Sequence, residues 1–558
     1  MLPFLAAALL GGAFVCLLLP AGVTTLNDDF GYYRSIVETL QHGRPWTDDW
    51  LEPWAASLSA LSALIFSATG SFYLATYGLQ SLLAAAGIGL TCVLLRERGH
   101  STRGAILTAG LFFIFPTILW KLLEFTGVVL YWPCLLAAIL SADRRRWGWF
   151  FVAYGLAVAS RQSALAWLVL PGWACATSVI KGNWRSRETL RPALTAVAGL
   201  VVFGLMTAVM NKTHAQTVIT DRLFAEFEAR RALIIAATGA LAFVLAGGGS
   251  ALLLRLQGRL RPLTATQALG GVALIIVAAA VLRVGDPRQL MKFEHNSFAG
   301  PLGGCAVLGL FTAAILGWVG GGVAVKPRYL VYAGFNLLLI SLRPDLWDYY
   351  LGDLLIFGLL AVSLPPTEPA TEASRATAWP RHGLRMAGFI LITAGVAYEF
   401  WCVLQFKLRL DRAHATNSIV EQAFRQGQVT PHQFYGASFG YIAWHLDPYF
   451  IAHEGAHDPH IAHFWNYLLY SIDVRTKYLG WLGTIEPFKS EYPAEPRKLI
   501  TSEVHPVWWI FRARFTLERA TPLANPPPHI PMRLEEYRRV PFPLNDGEWR
   551  ELIAHERL

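Results

Sequence analysis

Asp28 and Asp29, adjacent in the run Asn27-Asp-Asp-Phe-Gly-Tyr-Tyr33, are the residues of this chain best placed for chemistry. They follow directly on an apolar stretch, so they are expected in water at a bilayer edge, beside Tyr32 and Tyr33, whose rings suit the interface. A carboxylate there can take a proton from an attacking hydroxyl. It can also hold a divalent cation, Mg or Mn, that compensates a leaving phosphate. The same cluster makes a good N-cap for a helix from Phe30 onward. The residues alone leave both readings open.

A phosphate leaving group would need fixed cations near the carboxylates. Arg161 lies between two apolar runs, where an ionisable side chain is a functional candidate by default; an interface anchor is the plainer reading. Arg283, Arg288, Lys292 and His295 share one later loop, in which Asp286 and Glu294 can pair with some of them. Arg343 opens a short turn that carries Asp348, Tyr349, Tyr350 and Asp353. Acids that accept sugar hydroxyls and rings that stack on sugar faces can line a carbohydrate pocket there, while an aromatic belt with helix caps has the same composition.

The histidines offer a different chemistry. His453-Glu-Gly-Ala-His457 fits His-Glu-x-x-His, with His463 spaced as a third zinc ligand. Those ligands must project from one helical turn. Gly455 inside the motif and Pro459 just after it weaken such a helix. A polar loop, an acceptor-contacting surface or an incidental metal site also accommodates the run.

The elements that position these groups are membrane spans. Of 558 residues, 54% are apolar and 15% charged, against about 25% charged in a soluble globule. The apolar residues gather in thirteen runs from 2–21 to 385–404, most of them long enough to cross a hydrocarbon core. The first has no basic leader and is expected to be retained. An all-α polytopic fold of about 13 transmembrane helices is therefore expected over 1–404, with a mixed or mainly helical domain at 405–558. Residues 22–70 form a long first outer loop with helices near 29–42 and 54–68. In the C-terminal segment helices are expected near 413–424 and 463–482. The net charge of +9 is accounted for by topology and not by nucleic acid. Six basic turns, around Arg98, Arg144, Arg185, Arg259, Lys326 and Arg381, fall on one side if the spans alternate. The positive-inside rule makes that side cytoplasmic and places the C-terminal segment outside. The six cysteines lie in or beside apolar runs and suggest neither disulfides nor a metal site.

Asp28-Asp29-x-x-Tyr32, then Gly43, then Leu51-Glu52-Pro53-Trp54, resembles the first-loop pattern of GT-C glycosyltransferases, polytopic enzymes that use polyprenyl-phosphate sugars; protein mannosyltransferases and aminoarabinose transferases are among them. The resemblance covers about thirty residues by motif and the first 400 by span number and loop length. Trp54 departs from the second proline of the family pattern. The resemblance implies a GT-C-like fold and an inverting transfer from a polyprenyl-phosphate donor to a lipid, glycan or protein acceptor. It implies Asp28 as base, with Asp29 exchangeable for it by a one-residue slip. The candidates for that donor's phosphate, chosen by charge and position and not by any family motif, are Arg161, Arg283, Arg288, Lys292, His295 and Arg343. Tyr32, Tyr33, Glu52, Asp348, Tyr349 and Tyr350 are candidates for the substrate pocket. A bacterial inner membrane with the site on its periplasmic face is the expected location; the outer sequon Asn211-Lys-Thr213 leaves an ER origin open. Two other classes stand beside this reading: a transporter or flippase of a lipid-linked sugar, and a membrane-anchored zinc hydrolase built on His453, His457 and His463.

Overall fold

A computed structural model gives the fold. It describes residues 2–23, 29–45, 56–213, 229–257, 259–260, 309–312, 314–318, 323–341, 348–364, 393–408, 410–411 and 414, together with five strand segments beyond residue 430. The chain divides into two compact units, Met1–Leu19 with Ser35–Lys407, and Pro20–Arg34 with Leu408–Leu558.

The first unit is helical. Helix α1 (Leu2–Leu18) is followed by the two first-loop helices, α2 (Asp29–His42), whose residues up to Arg34 belong to the second unit, and α3 (Ala56–Thr69). Gly43 ends α2 with φ +62°, a left-handed conformation open to glycine at little cost, so this glycine has a structural reason to follow the helix. A π-turn at Leu74–Gly78 leads into α4 (Leu79–Glu97). Next come α5 (Thr102–Ile114), α6 (Pro116–Leu123), α7 (Gly127–Asp143), α8 (Trp147–Val158), a 3-10 helix at Gln162–Leu168, α9 (Val169–Ile180), α10 (Arg187–Thr213) and α11 (Ala229–Leu256). Helices α12 (Pro327–Ser341) and α13 (Asp348–Ala361) follow, flanked by the short strands β1 (Ala324–Val325) and β2 (Val362–Ser363), which pair antiparallel.

Among the described residues, four helices are long and apolar enough to cross a membrane: Leu74–Glu97, Gln162–Ile180, Arg187–Ala208 and Ala229–Leu256. A fifth forms if α5 and α6 are one broken span. Several expected spans appear as shorter apolar helices, α1, α7 and α8 among them, and the run at 266–282 lies outside the described residues. The α5–α6 break bends the chain by 70°. Its cause is local: Phe115 is held extended (ψ 131°) by the proline after it, and Pro116, as first residue of α6, has no N–H to continue the ladder.

Five of the six basic turns are joined to one another by side-chain bonds. Arg98 bonds the Leu360 carbonyl at 2.9 Å and Asp143 at 2.5 Å. Arg144 bonds Glu97 at 2.7 Å and Arg145 bonds Glu188 at 2.6 Å. Arg259 donates to the Gly99 carbonyl at 3.2 Å, and Arg328 pairs with Asp143. So α4, α7, α11 and α13 end where α5, α8, α10 and α12 begin, which is the alternation the charge pattern implied. The sixth turn, around Arg381, lies outside the described residues.

The described part of the C-terminal segment is a five-stranded sheet: β3 (Phe434–Gly436), β4 (Arg497–Thr501), β5 (Val507–Ile510), β6 (Ala513–Pro522) and β7 (Arg533–Pro541), in the order β3-β4-β7-β6-β5. The β6–β7 hairpin is its longest pairing, with a register shift between Leu517 and Arg519. This strand content fits the mixed form of the expected domain. The helices expected at 413–424 and 463–482 fall outside the described residues, apart from His414.

Candidate functional site

The site is built where α8 stops. Arg161 is extended (φ −161°, ψ 137°) between α8 and the 3-10 helix, and the preceding Ser160 turns its hydroxyl back on the Leu156 carbonyl at 3.0 Å, a bond that competes with helix continuation. The first turn of α3 docks on this break. The Ser57 amide donates to the Ala159 carbonyl at 3.0 Å, and the Ser57 hydroxyl lies 2.5 Å from that of Ser160. The helix that follows the Glu52-Pro53-Trp54 motif is thus fastened beside Arg161.

Arg161 is 7% exposed. Its guanidinium carbon lies 6.0 Å from the ring centre of Tyr131 and 5.7 Å from that of Tyr350, distances at which each ring face still attracts a cation. Beneath it is a buried relay of polar groups. The Tyr131 hydroxyl donates to Asp353 Oδ2 at 2.7 Å, the Trp132 indole N–H donates to Asp353 Oδ1 at 3.0 Å, and the Trp167 N–H donates to the Tyr131 oxygen at 2.9 Å. Asp353 is 2% exposed, and a buried carboxylate is tolerated when both its oxygens are bonded and a cation is near. Gly352 makes room for this: a Cβ there would stand 2.0 Å from the Trp132 ring. Tyr332 stacks on Phe357 at 3.5 Å and borders Tyr131 and Trp167.

A second buried pair sits just beyond the α5–α6 bend. Lys121 bonds Glu124 within the last turn of α6, and both are almost wholly buried. The neighbouring Leu122 carbonyl accepts from the Gln80 side chain at 2.5 Å. Trp120 packs edge-on against Phe406 with ring centres 5.0 Å apart.

Of the residues singled out by sequence, Arg161 and Tyr350 are brought together, although they are 189 positions apart. Tyr32 and Tyr33 are buried on α2. Asp29 is the first residue of α2 and Asp348 the first of α13; the side chains of Asp29, Asp348 and Tyr349 lie outside the described part. Asp28, Glu52, Arg283, Arg288, Lys292, His295, Arg343, His453, His457 and His463 lie outside the described residues altogether. Among the described residues no three His, Cys, Asp or Glu side chains gather as a metal site would require.

Sequence reading did not single out Tyr131, Trp132, Trp167, Lys121 or Glu124. Glu124 and Lys121 carried a usable signal, being an acid and a base three positions apart between two apolar runs. The aromatic residues did not, since buried tyrosine and tryptophan are ordinary in spans.

No protein-family model and no curated protein matches the chain. Two crystal structures of ArnT from Cupriavidus metallidurans are similar along nearly its whole length. One, bound to undecaprenyl phosphate, gives a TM-score of 0.42 at 12% identity; the other, in the apo state, gives 0.40 at 13%. Each alignment covers 96% of this chain and 97% of that chain.

Proposed function

We propose that the chain is a membrane-embedded glycosyltransferase of the GT-C type, which moves a sugar from a polyprenyl-phosphate donor to a hydroxyl of a lipid, glycan or protein acceptor. Asp28 takes the acceptor proton as the oxygen attacks the anomeric carbon. The bond from that carbon to the phosphate oxygen breaks from the opposite face, and polyprenyl phosphate leaves with the electron pair, so the anomeric configuration inverts. Asp29 stands next to the base. Arg161 receives the departing phosphate with its planar fork of donors, joined by cations from Arg283, Arg288, Lys292, His295 and Arg343. Tyr32, Tyr33, Glu52, Asp348, Tyr349 and Tyr350 line the sugar pocket. The work is done at the periplasmic face of a bacterial inner membrane, with the C-terminal segment on that side.

The observation that carries this reading is the docking of α3 on Ala159 and Ser160. It supports a site at the buried Arg161 to which the end of the first outer loop, at the start of α3, contributes, and positioned groups of this kind are what leaving-group stabilisation requires.

A transporter of lipid-linked sugars is the second reading, favoured by the 70° bend between α5 and α6. Helix α5 has 13 residues and so rises about 20 Å, short of the roughly 30 Å hydrocarbon thickness. If α5 and α6 are one span, its break falls within the hydrocarbon layer, as breaks in transporter helices do near their substrates. One experiment separates the two. Purified protein in liposomes is given defined polyprenyl-phosphate sugars, with and without chelator, and the sugar is followed. Sugar covalently joined to acceptor, with free polyprenyl phosphate released, supports transfer. Intact donor appearing in the opposite leaflet, with no bond broken, supports transport and sinks the transferase. Loss of transfer in chelator, restored by added Mg or Mn, shows that transfer needs a divalent cation.

A further inference from the structure

At the basic end of the helices one carboxylate faces three cations. Asp143, the last residue of α7, accepts from Arg98 at 2.5 Å, pairs with Arg328, and stands 4.0 Å from the Lys326 ammonium. The Tyr329 hydroxyl donates to it at 3.1 Å. The next acid along, Glu97, is already bonded by Arg144. Among the described residues, two positive charges in the cluster therefore lack a counter-charge. Burial, and then repulsion from Arg98, push the Lys326 ammonium down to a pKa of about 8, so its charge is held there at a cost. The Arg328 Nε–H meets no acceptor among the described residues. Yet Lys326 and Arg328 are not sealed in, with side chains 31% and 25% exposed.

What adjoins them is apolar and outward-facing. Val331, Phe335 and Leu338 follow Arg328 on α12 at three, seven and ten positions, one stripe of a helix, and all three are exposed. Gly334, on the same stripe, has open space where a side chain would be. A paired cationic head above an exposed apolar stripe matches an amphiphile with a negative head. A free anion would have no use for the stripe.

We propose that Lys326 and Arg328 bind the phosphate of an anionic membrane phospholipid, whose acyl chain lies along Val331, Phe335 and Leu338. The site is at the end opposite Arg161, on the side where anionic lipids and basic protein surfaces meet. It depends on the membrane reading of the chain and not on sugar transfer.

The test uses the full chain purified in detergent, without sugar donor, and follows its melting temperature while phosphatidylglycerol, phosphatidylcholine or inorganic phosphate is added. Phosphatidylglycerol should raise the midpoint by several degrees, and the other two should not. Lys326→Gln should lose most of that shift without lowering the starting midpoint, because Asp143 keeps Arg98 and Arg328. Arg328→Gln should lose it as well, and if that variant does not fold, Lys326→Gln decides alone. Equal shifts from phosphatidylglycerol and phosphatidylcholine would overturn the headgroup assignment. A full shift from inorganic phosphate would make this a free-anion site and overturn the lipid. An undiminished phosphatidylglycerol shift in Lys326→Gln would overturn the residues.

Discussion

The Tyr131 hydroxyl donates to Asp353 Oδ2 over 2.7 Å and accepts from the Trp167 indole over 2.9 Å. One oxygen atom thereby ties α7, α13 and the 3-10 helix together beneath Arg161. Tyr131→Phe keeps the ring and removes that oxygen, leaving a buried indole N–H and one carboxylate oxygen short of a partner. A buried group left unsatisfied costs about 1–3 kcal/mol. The variant should melt measurably lower in detergent while the ring still faces Arg161. An unchanged midpoint would mean that the relay contributes nothing to the fold.

Arg161 is assigned the leaving phosphate, so Arg161→Ala should weaken donor use. A hydrogen bond to a charged group contributes about 1.5–3 kcal/mol, or roughly tenfold to a hundredfold in kcat/KM if it is made in the transition state. Arg161→Lys keeps the charge but not the fork and should recover only part of the loss. Normal steady-state kinetics in Arg161→Ala would remove it from the site.

The Lys121–Glu124 pair follows the α5–α6 bend and is almost wholly buried. Removing one partner of such a pair costs about 3–5 kcal/mol, because the other charge is stranded. Lys121→Met, which strands the Glu124 carboxylate, should therefore lower the melting temperature more than the double change Lys121→Met with Glu124→Leu. A double variant no more stable than the single one would contradict the pairing.

His100 is fully buried between the α4–α5 turn and α11. Its Nε2 lies 3.2 Å from the Ser250 hydroxyl and its Nδ1 3.3 Å from the Gln257 amide. Burial, with the Arg259 charge next, pulls its pKa from 6.5 down to about 4. The unfolded chain then binds a proton between these values that the folded protein refuses. Stability should fall as pH drops from 6.5 toward 4, by on the order of 3 kcal/mol from this group. Melting curves across that range should slope less steeply in His100→Gln than in the wild type; identical slopes would exclude the histidine.

Much of the frame was legible in the sequence because it rests on local rules. Helix α2 is found at 29–42, its expected range, ended by a glycine with positive φ. The basic turns meet at one end because alternating spans leave them no other place. The break at Pro116 was missed because a proline between apolar residues does not interrupt hydropathy, although it does interrupt the helix. Arg161 was legible as a polar residue between spans. Tyr350 and Asp353 were legible as pocket candidates, but their junction with Tyr131 was not, since Tyr131 and Asp353 are 222 positions apart and only the fold brings α7 to α13. The Asp143 cluster was hidden for the same reason: its cations were read as topology signals, and the acid among them drew no notice.

The most direct test of the transferase account is Asp28→Asn, assayed for sugar transfer and donor affinity together. Asparagine caps a helix about as well as aspartate but cannot take a proton at neutral pH. The account predicts a fall in turnover of about 100-fold or more, the usual scale for a lost general base, with donor affinity nearly unchanged. Near-normal turnover in Asp28→Asn and in the matching Asp29→Asn would contradict it, leaving the two carboxylates as caps of α2.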